Sequence, residues 1–387
     1  MARFWLVAVM LTGSVYSGLI FVVVGPILPN IATHFGHEAG GDVLAQWVMT
    51  APAIGLVVGG LTGGWLLNRI SFGKLLPALL LLYGIAGSGG GFLESPALVL
   101  VSRFIIGLCA VIMSLATTVL IAEHFDDTAR ARMLGYKNSI AAGTGIFGML
   151  IAGSLADLYG WRIAFLMYAF SLLFVIPALW TLRDRRVPPS VDAQPKLFTP
   201  LTSNWLIYGG TILFGILVMA PLTQLPFLLR EIGVSGAGTL SRILGFSSVG
   251  SMVGAFLYGR AYALLGPVGT LIGCMTLWGT GMLTLGSTGS VTQTIIGCFM
   301  CGIASGIFVV HMANLIVSRV QPQDRANAAG LLYVALFFGD FLTPVVLVPL
   351  ASAFGRHTAF LLLAIPCALT AAGALITMRK TPAPALV

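Results

Sequence analysis

Apolar runs long enough to cross a bilayer recur along the whole chain, and most charged residues fall in the gaps between them. A crossing takes about 20 mostly apolar residues. Twelve such segments are read near 4–27, 43–67, 75–93, 97–122, 136–157, 162–182, 204–229, 240–264, 267–288, 291–317, 328–353 and 357–378. Gaps such as Glu94-Ser95-Pro96 and Tyr159-Gly160-Trp161 are so short that the helices they join must be antiparallel hairpins. Of the 387 residues 58% are hydrophobic and 8% charged, with a mean hydropathy of +0.99. A water-soluble domain needs about 25% charged residues to cover its surface, so lipid must be the solvent here. Glycine (48) and proline (19) are abundant within the apolar runs, a composition that transmembrane helices tolerate.

The net charge of +8 does not describe a nucleic-acid binder, because the cations sit between apolar segments rather than along one face or tail. With both termini inside, fifteen Lys and Arg residues fall in inner loops and four (Arg162, Arg230, Arg242, Arg356) in outer ones. That asymmetry fits twelve spans with cytoplasmic termini. The first run, from Phe4 to about Leu28, is long enough to span and shows no clear cleavage site. Arg183 to Ser203 is the longest hydrophilic stretch and reads as a cytoplasmic linker, 183–203, between six-helix bundles at 1–182 and 204–387. The five cysteines all lie inside apolar runs. Cys298 and Cys301 form a CxxC on one helix face without a second ligand pair, so helix packing is expected and no metal or cofactor. Short loops and the lack of an N-x-S/T sequon at any of six asparagines point to a bacterial inner membrane.

An internal repeat sharpens the architecture. Arg130 and Gly135 recur as Arg325 and Gly330, and Gly107 as Gly302, all displaced by 195 residues; Gly59, Gly63 and Arg69 recur as Gly250, Gly254 and Arg260, displaced by 191. Both glycine pairs are GxxxG, which lets helix backbones approach closely. Two halves of equal topology imply parallel repeats about an axis along the membrane normal.

These features resemble the major facilitator superfamily over nearly the whole length. The loop Gly64-Trp65-Leu66-Leu67-Asn68-Arg69-Ile70-Ser71-Phe72-Gly73-Lys74 is similar to that family's Gly-x-Leu-x-Asp-Arg signature, with Asn68 in place of the aspartate and Ser71 in place of a glycine. The resemblance implies a gating loop at Asn68, Arg69, Gly73 and Lys74, with Arg130, Arg260 and Arg325 at the related positions. Arg103-Phe104-Ile105-Ile106-Gly107 is similar to the family's RxxxG motif, which implies an arginine associated with proton coupling. Gly148 to Gly153 resembles the drug-antiporter signature, although Met149 stands where that pattern has proline. Asp157-Leu158-Tyr159-Gly160-Trp161-Arg162-Ile163-Ala164-Phe165 looks like the matching exporter segment.

A charge at the bilayer centre costs at least ~2.5 kcal/mol, so each one should face a cavity or a partner. Arg103 is the one cation within a span, read either as a coupling or substrate group or as a helix pin on backbone carbonyls. Asp340 is the only acid deep within a span, among Phe337, Phe338, Phe341 and Leu342. It suits a group that takes up and releases a proton, with pairing to a cationic substrate, to Arg103, or to groups freed by Pro344 as alternatives. His311 and Asn314 lie one turn apart on the tenth span, where the histidine is either titratable or packed and neutral. Tyr16, Gln46, Trp47, Thr223 and Gln224 are further cavity residues, each equally readable as a helix–helix hydrogen bond. The aromatic residues define no cage.

The expected protein is all-helical, a monomer, and a secondary transporter of a small organic molecule working with protons by alternating access. The exporter-like segment favours efflux by antiport; uptake by symport is the alternative, and a receptor a weaker one. The lone Arg103 disfavours highly charged anions. No HExxH, GxSxG or P-loop supports an enzyme or an ATP-driven pump.

Overall fold

The computed structural model describes residues 2–36, 40–182, 204–321 and 325–380. Every regular element among them is a helix, and eleven helices are long and apolar enough to cross a membrane. In chain order they are α1 (Ala2–Val24), α2 (Leu28–His34), α3 (Gly41–Arg69), α4 (Phe72–Gly89), α5 (Pro96–His124), α6 (Asp127–Tyr159) and α7 (Trp161–Ala164), then α8 (Val175–Thr181) after a 3-10 segment, Phe165–Phe174. The second half holds α9 (Trp205–Glu231), α10 (Ala237–Gly286), α11 (Val291–Arg319), α12 (Arg325–Phe354) and α13 (Arg356–Lys380). The expected linker, 183–203, lies outside the described residues.

Local chemistry sets the ends. Asp126 caps α6 by accepting from the Ala129 N–H at 2.8 Å, and Ser290 caps α11 by accepting from Gln293 N–H at 3.2 Å. Asp42 in the first turn of α3 and Arg69 in its last both complement the helix dipole. The one-residue connection at Gly160 needs φ +90°, which glycine adopts without strain.

One element differs from the sequence reading, and one expected boundary is met at a kink. The first crossing runs past residue 27 to His34, through a 3-10 turn at Gly25–Ile27. Pro26 and Pro29 each sit at N1 or N2 of a new helical segment, where the missing N–H is harmless. The segments expected at 240–264 and 267–288 are the two arms of α10, 50 residues long in all, divided where helical geometry breaks at Gly266 (φ 65°, ψ −178°) ahead of Pro267. An unbroken helix of that length would measure ~75 Å, more than twice the ~30 Å hydrocarbon layer. The break lets the chain turn back.

The helices share two ends. One face gathers Arg69, Lys74, His124, Arg130, Arg260 and Arg319; the opposite face gathers the end of α2, the start of α3 and the turns at 93–95, 160, 232–236 and 355. We call them the basic and the opposite face.

Glycines decide how closely the helices cross. A side chain at Gly107 of α5 would run into the Pro52 carbonyl of α3, and one at Gly55 into the Phe104 carbonyl. In the second half Gly250 and Gly254 of α10 sit against the backbone of Phe299 to Ile303, and Gly302 against Ser247. The repeated glycines thus make the same backbone-to-backbone contact twice, in α3–α5 and in α10–α11. Such crossings substitute for the hydrophobic effect, which does not drive helices together within lipid.

Overpacking a close crossing costs about 1–3 kcal/mol or more. Gly107→Val should therefore lower the melting temperature of the detergent-purified protein, whereas Gly209→Ala, with open space around it, should leave it unchanged within error. Differential scanning fluorimetry on the two variants checks this.

Candidate functional site

A cavity of about 400 Å³ lies between helices of both halves, lined by Ser17 (α1), Leu56 and Gly60 (α3), Val111, Ser114 and Leu115 (α5), and Gly330 to Phe337 (α12). These positions fall in the half of each helix nearer the basic face, so the cavity belongs to that side. Its wall is mostly apolar, with hydroxyls only from Ser17, Ser114 and Tyr333.

The opposite face is sealed by contacts that reach from one half to the other. Arg356 pairs with Asp42 of α3 and with Glu231 of α9. Beneath it the Gln224 amide donates to Gln46 Oε1 at 2.8 Å, and the Asp157 carboxylate accepts from the Gly238 N–H at 2.8 Å. Arg230 reaches Thr33 at 3.3 Å. Gly153, in the exporter-like segment, has no room for a side chain because Ser241 and the Ala237 carbonyl press against it. A second cavity of about 290 Å³, lined by Asp42, Gln46, Gln224, Ser352 and Arg356 among others, adjoins this seal. Between the seal and the first cavity, the Trp47 ring meets Phe341 at 5.4 Å.

Asp340 lies in the middle of α12 and is 3% exposed. Its Oδ1 has no hydrogen-bond partner, and no cation among the described residues pairs with it. Gly215 of α9 makes the burial possible, because a side chain there would come within 2.9 Å of the Asp340 backbone nitrogen. Thr343, one turn on, spends its hydroxyl on the Gly339 carbonyl at 3.2 Å rather than on the acid.

Arg103 is not brought to Asp340. Its guanidinium is fully buried in the first half, donating to Tyr168 Oη at 3.0 Å and to the Gly87 carbonyl at 3.1 Å. The rings of Phe165 and Tyr168 lie 4.7 and 4.8 Å from it. The 3-10 segment explains the arrangement, since residues three apart eclipse in that geometry. Phe165, Tyr168 and Ser171 therefore share one edge, where Ser171 donates to the Leu80 carbonyl at 2.8 Å. Tyr16 and Tyr83 complete the nest, with ring centroids 5.3 Å apart and the Tyr83 hydroxyl on the Tyr16 carbonyl at 2.8 Å. Aromatic side chains that look scattered in sequence thus surround Arg103, and Tyr16 belongs to this nest rather than to the cavity wall.

The remaining expected residues divide by place. His311 is buried with Nδ1 unpartnered, its ring 6.0 Å from Tyr258 and 6.2 Å from Tyr262. Asn314 donates to the Tyr258 hydroxyl at 3.0 Å, so the two residues gather a polar-aromatic cluster between α10 and α11. Thr223 hydrogen-bonds back to Met219 and Ala220 of its own helix. Asn68, Arg69, Lys74 and Arg260 are exposed on the basic face with Gly73 beside them, and Arg69 stacks on Trp65 at 4.7 Å. Arg130 stands in the first turn of α6; Arg325 opens α12, and its side chain lies outside the described residues.

Sequence reasoning missed two features. The seal of Asp42, Glu231 and Arg356 was invisible because its members lie at helix ends up to 314 residues apart in the chain; acids matched to the few outer cations were the available signal. Lys137, counted as an inner-loop cation, stands in the third turn of α6 and is 3% exposed, its ammonium on the Ser114 carbonyl and Thr118 Oγ1, each at 2.7 Å.

Comparison with known proteins agrees with this architecture. The family model of the Major Facilitator Superfamily matches residues 10–256 and 207–386, and the chain belongs to that family. It is therefore a multi-pass membrane transporter and not an enzyme. It is 25% identical to a gallate transporter of Pseudomonas putida, over 95% of this chain and 91% of that one. It is 22% identical to multidrug resistance protein 1 of Bacillus subtilis (strain 168), over 83% of each. In structure it superposes on a bacterial homologue of the human lysosomal transporter Spinster, solved inward-facing and unoccupied, with a TM-score of 0.81, 16% identity and 99% coverage of both chains.

Two outcomes are expected. Arg356→Gln should loosen the seal, so that a thiol reagent labels Gln46→Cys faster in that background than with Arg356 intact; equal rates would dismiss the seal. A second clasp joins Glu94 to His34 at 2.7 Å and to Arg162 at 2.6 Å. The hydrogen bond from His34, with the charge of Arg162 behind it, holds the Glu94 carboxyl below its ordinary value. A group so lowered contributes fully above its unfolded pKa and loses that contribution as pH falls through the folded one. Hydrogen exchange around residues 92–96 should accelerate on acidification below the ordinary carboxylate range, and Glu94→Gln should flatten that response.

Proposed function

We propose that the chain is a proton-coupled secondary transporter of small amphipathic organic molecules. It would have twelve crossings arranged as two six-helix bundles, 1–182 and 204–387, that rock about the central cavity. Division of α10 at Gly266 into two crossings turns eleven apolar helices into twelve. Charge asymmetry supports a cytoplasmic basic face with both termini inside, and the short loops and missing sequon support a cell inner membrane. The cavity then opens inward and the Arg356 seal faces outward, an inward-facing state like that named for the solved Spinster homologue.

One observation carries the coupling. Asp340 is a buried carboxyl without a cation partner, on the helix that also supplies one wall of the cavity. An acid in such a place is stable when it carries a proton or binds a cation, and the change between the two states is a means of exchange. His311 and the Tyr258–Tyr262–Asn314 cluster are a second polar focus in the same half. Arg103 holds α4, α5 and the sixth crossing together around its tyrosines; its part in transport is to keep the first half rigid.

Efflux by antiport is the reading supported by the exporter-like segment and by the multidrug-resistance relative. Uptake by symport is the second reading, favoured by Met149 standing where the drug-antiporter pattern has proline. Proteoliposomes with imposed pH gradients of either sign decide between them, because antiport accumulates substrate inside under an outward-directed proton gradient and symport under an inward-directed one. Asp340→Asn should abolish gradient-driven accumulation, by at least about tenfold, and leave substrate exchange largely intact. Full uphill transport by that variant would remove Asp340 from the coupling step.

A further inference from the structure

The second half holds a groove that the transport reading does not use. It measures about 210 Å³, is bounded by α9, the second arm of α10, α11 and α13, and has an apolar wall except for Arg319 and Thr370. Thr370 is occupied, its hydroxyl donating to the Pro366 carbonyl at 2.8 Å. Arg319, the last residue of α11, is exposed, and among the described residues no carboxylate stands within ion-pair distance of it. The groove opens along α9, where Leu206, Gly210 and Leu213 form one exposed stripe. A side chain at Gly210 would meet nothing within 4 Å, so its absence there leaves the groove open.

Its depth matches one leaflet. At the basic face α9 starts at Trp205, α10 turns back at Gly266 and α11 ends at Arg319, so the mouth of the groove lies at that boundary. From there the lining runs along α9 from Leu206 to Leu217, and back along α11 from Arg319 to Phe308. Each stretch rises about 16 Å, roughly half of the hydrocarbon layer. Phe214 and Phe308, stacked with ring centroids 3.3 Å apart, stand near the inner end. The shape is therefore an apolar slot from the bilayer boundary toward the midplane, with a single guanidinium at its mouth.

Water does not fill an apolar slot. We propose that it holds one acyl chain of an anionic phospholipid from the leaflet at the basic face, with the lipid phosphate on the Arg319 guanidinium. Charge and position argue for that occupant. A chain gains little by leaving its neighbours for this wall, because lipid tails are as apolar as leucine. Retention therefore depends on the headgroup, and the one charged lining residue sits at headgroup level. A guanidinium presents a planar fork from which two phosphate oxygens accept. A headgroup with no cation of its own leaves that pairing unopposed, so lipids of net negative charge are preferred over zwitterionic ones. The site needs only that these helices span a membrane; it goes beyond the transport reading and does not depend on it.

The test uses the purified full chain and native mass spectrometry, with dioleoyl phosphatidylglycerol and dioleoyl phosphatidylcholine at equal concentration. The first lipid bound should favour phosphatidylglycerol by about fivefold. Arg319→Gln should erase that preference and Arg319→Lys should keep most of it. Gly210→Phe, by filling the slot, should lower phosphatidylglycerol binding. Glycerol phosphate, which carries the anion without the chains, should not displace the lipid at the same concentration. Equal uptake of the two lipids by the unmodified protein, a result independent of how any variant folds, would overturn the inference. So would an undiminished preference in Arg319→Gln, or unchanged binding in Gly210→Phe, which would put the lipid elsewhere. Displacement by glycerol phosphate would overturn it too, by making the site one for a free phosphate ester.

Discussion

Water is missing from the layer these helices occupy, and that absence governs the rest of the molecule. Backbone groups must be satisfied within each helix, so the architecture reduces to helices and the short turns between them. Helices in lipid are not driven together by burial of apolar surface. They associate here where glycine removes the side chain and backbones meet, as at Gly107 against Pro52 and Gly302 against Ser247. Those crossings set the spacing of α3 from α5 and of α10 from α11. They also place the cavity wall, since Leu56 and Gly60 of α3 and Val111 and Ser114 of α5 flank the contact.

The same constraint sorts the charges by role. On the opposite face, where water is near, Arg356 bridges carboxylates from both halves of the chain, the contact that the proposed alternating access has to break. In the interior, Arg103 is enclosed by carbonyl, phenol and ring faces, all from helices of the first half, so it braces that half through any such motion. Asp340 and Lys137 are different again. Each is buried and neither has an opposite charge beside it among the described residues, and Asp340 sits on a helix that bounds the central space. Charges held that way are the ones a proton or a ligand can answer.

Much of the fold was legible along the chain. The hairpin at Gly160, the repeat of Gly59, Gly63 and Gly107 in the second half, and the break ahead of Pro267 all follow from local rules about span length, small residues and proline. The site was less so. Gln46 and Gln224, read as either cavity groups or a helix–helix hydrogen bond, proved to bond each other across the halves. Tyr16 went into the arginine nest. Lys137, placed at the edge of a loop by hydropathy, was drawn inside because α6 begins at Asp127, well before its apolar stretch.

Sequence alone determined the solvent, the helical class, the hairpin order and which helices could touch closely, because hydropathy, charge asymmetry and glycine spacing are properties of the chain read in order. Only the tertiary structure decided which polar side chain meets which. That depends on the rotation of each helix about its axis and on partners as distant as Asp42 and Arg356, 314 residues apart. A turn of roughly 100° per residue separates a side chain facing the cavity from one facing a neighbouring helix, and no local pattern in an all-apolar helix records that angle.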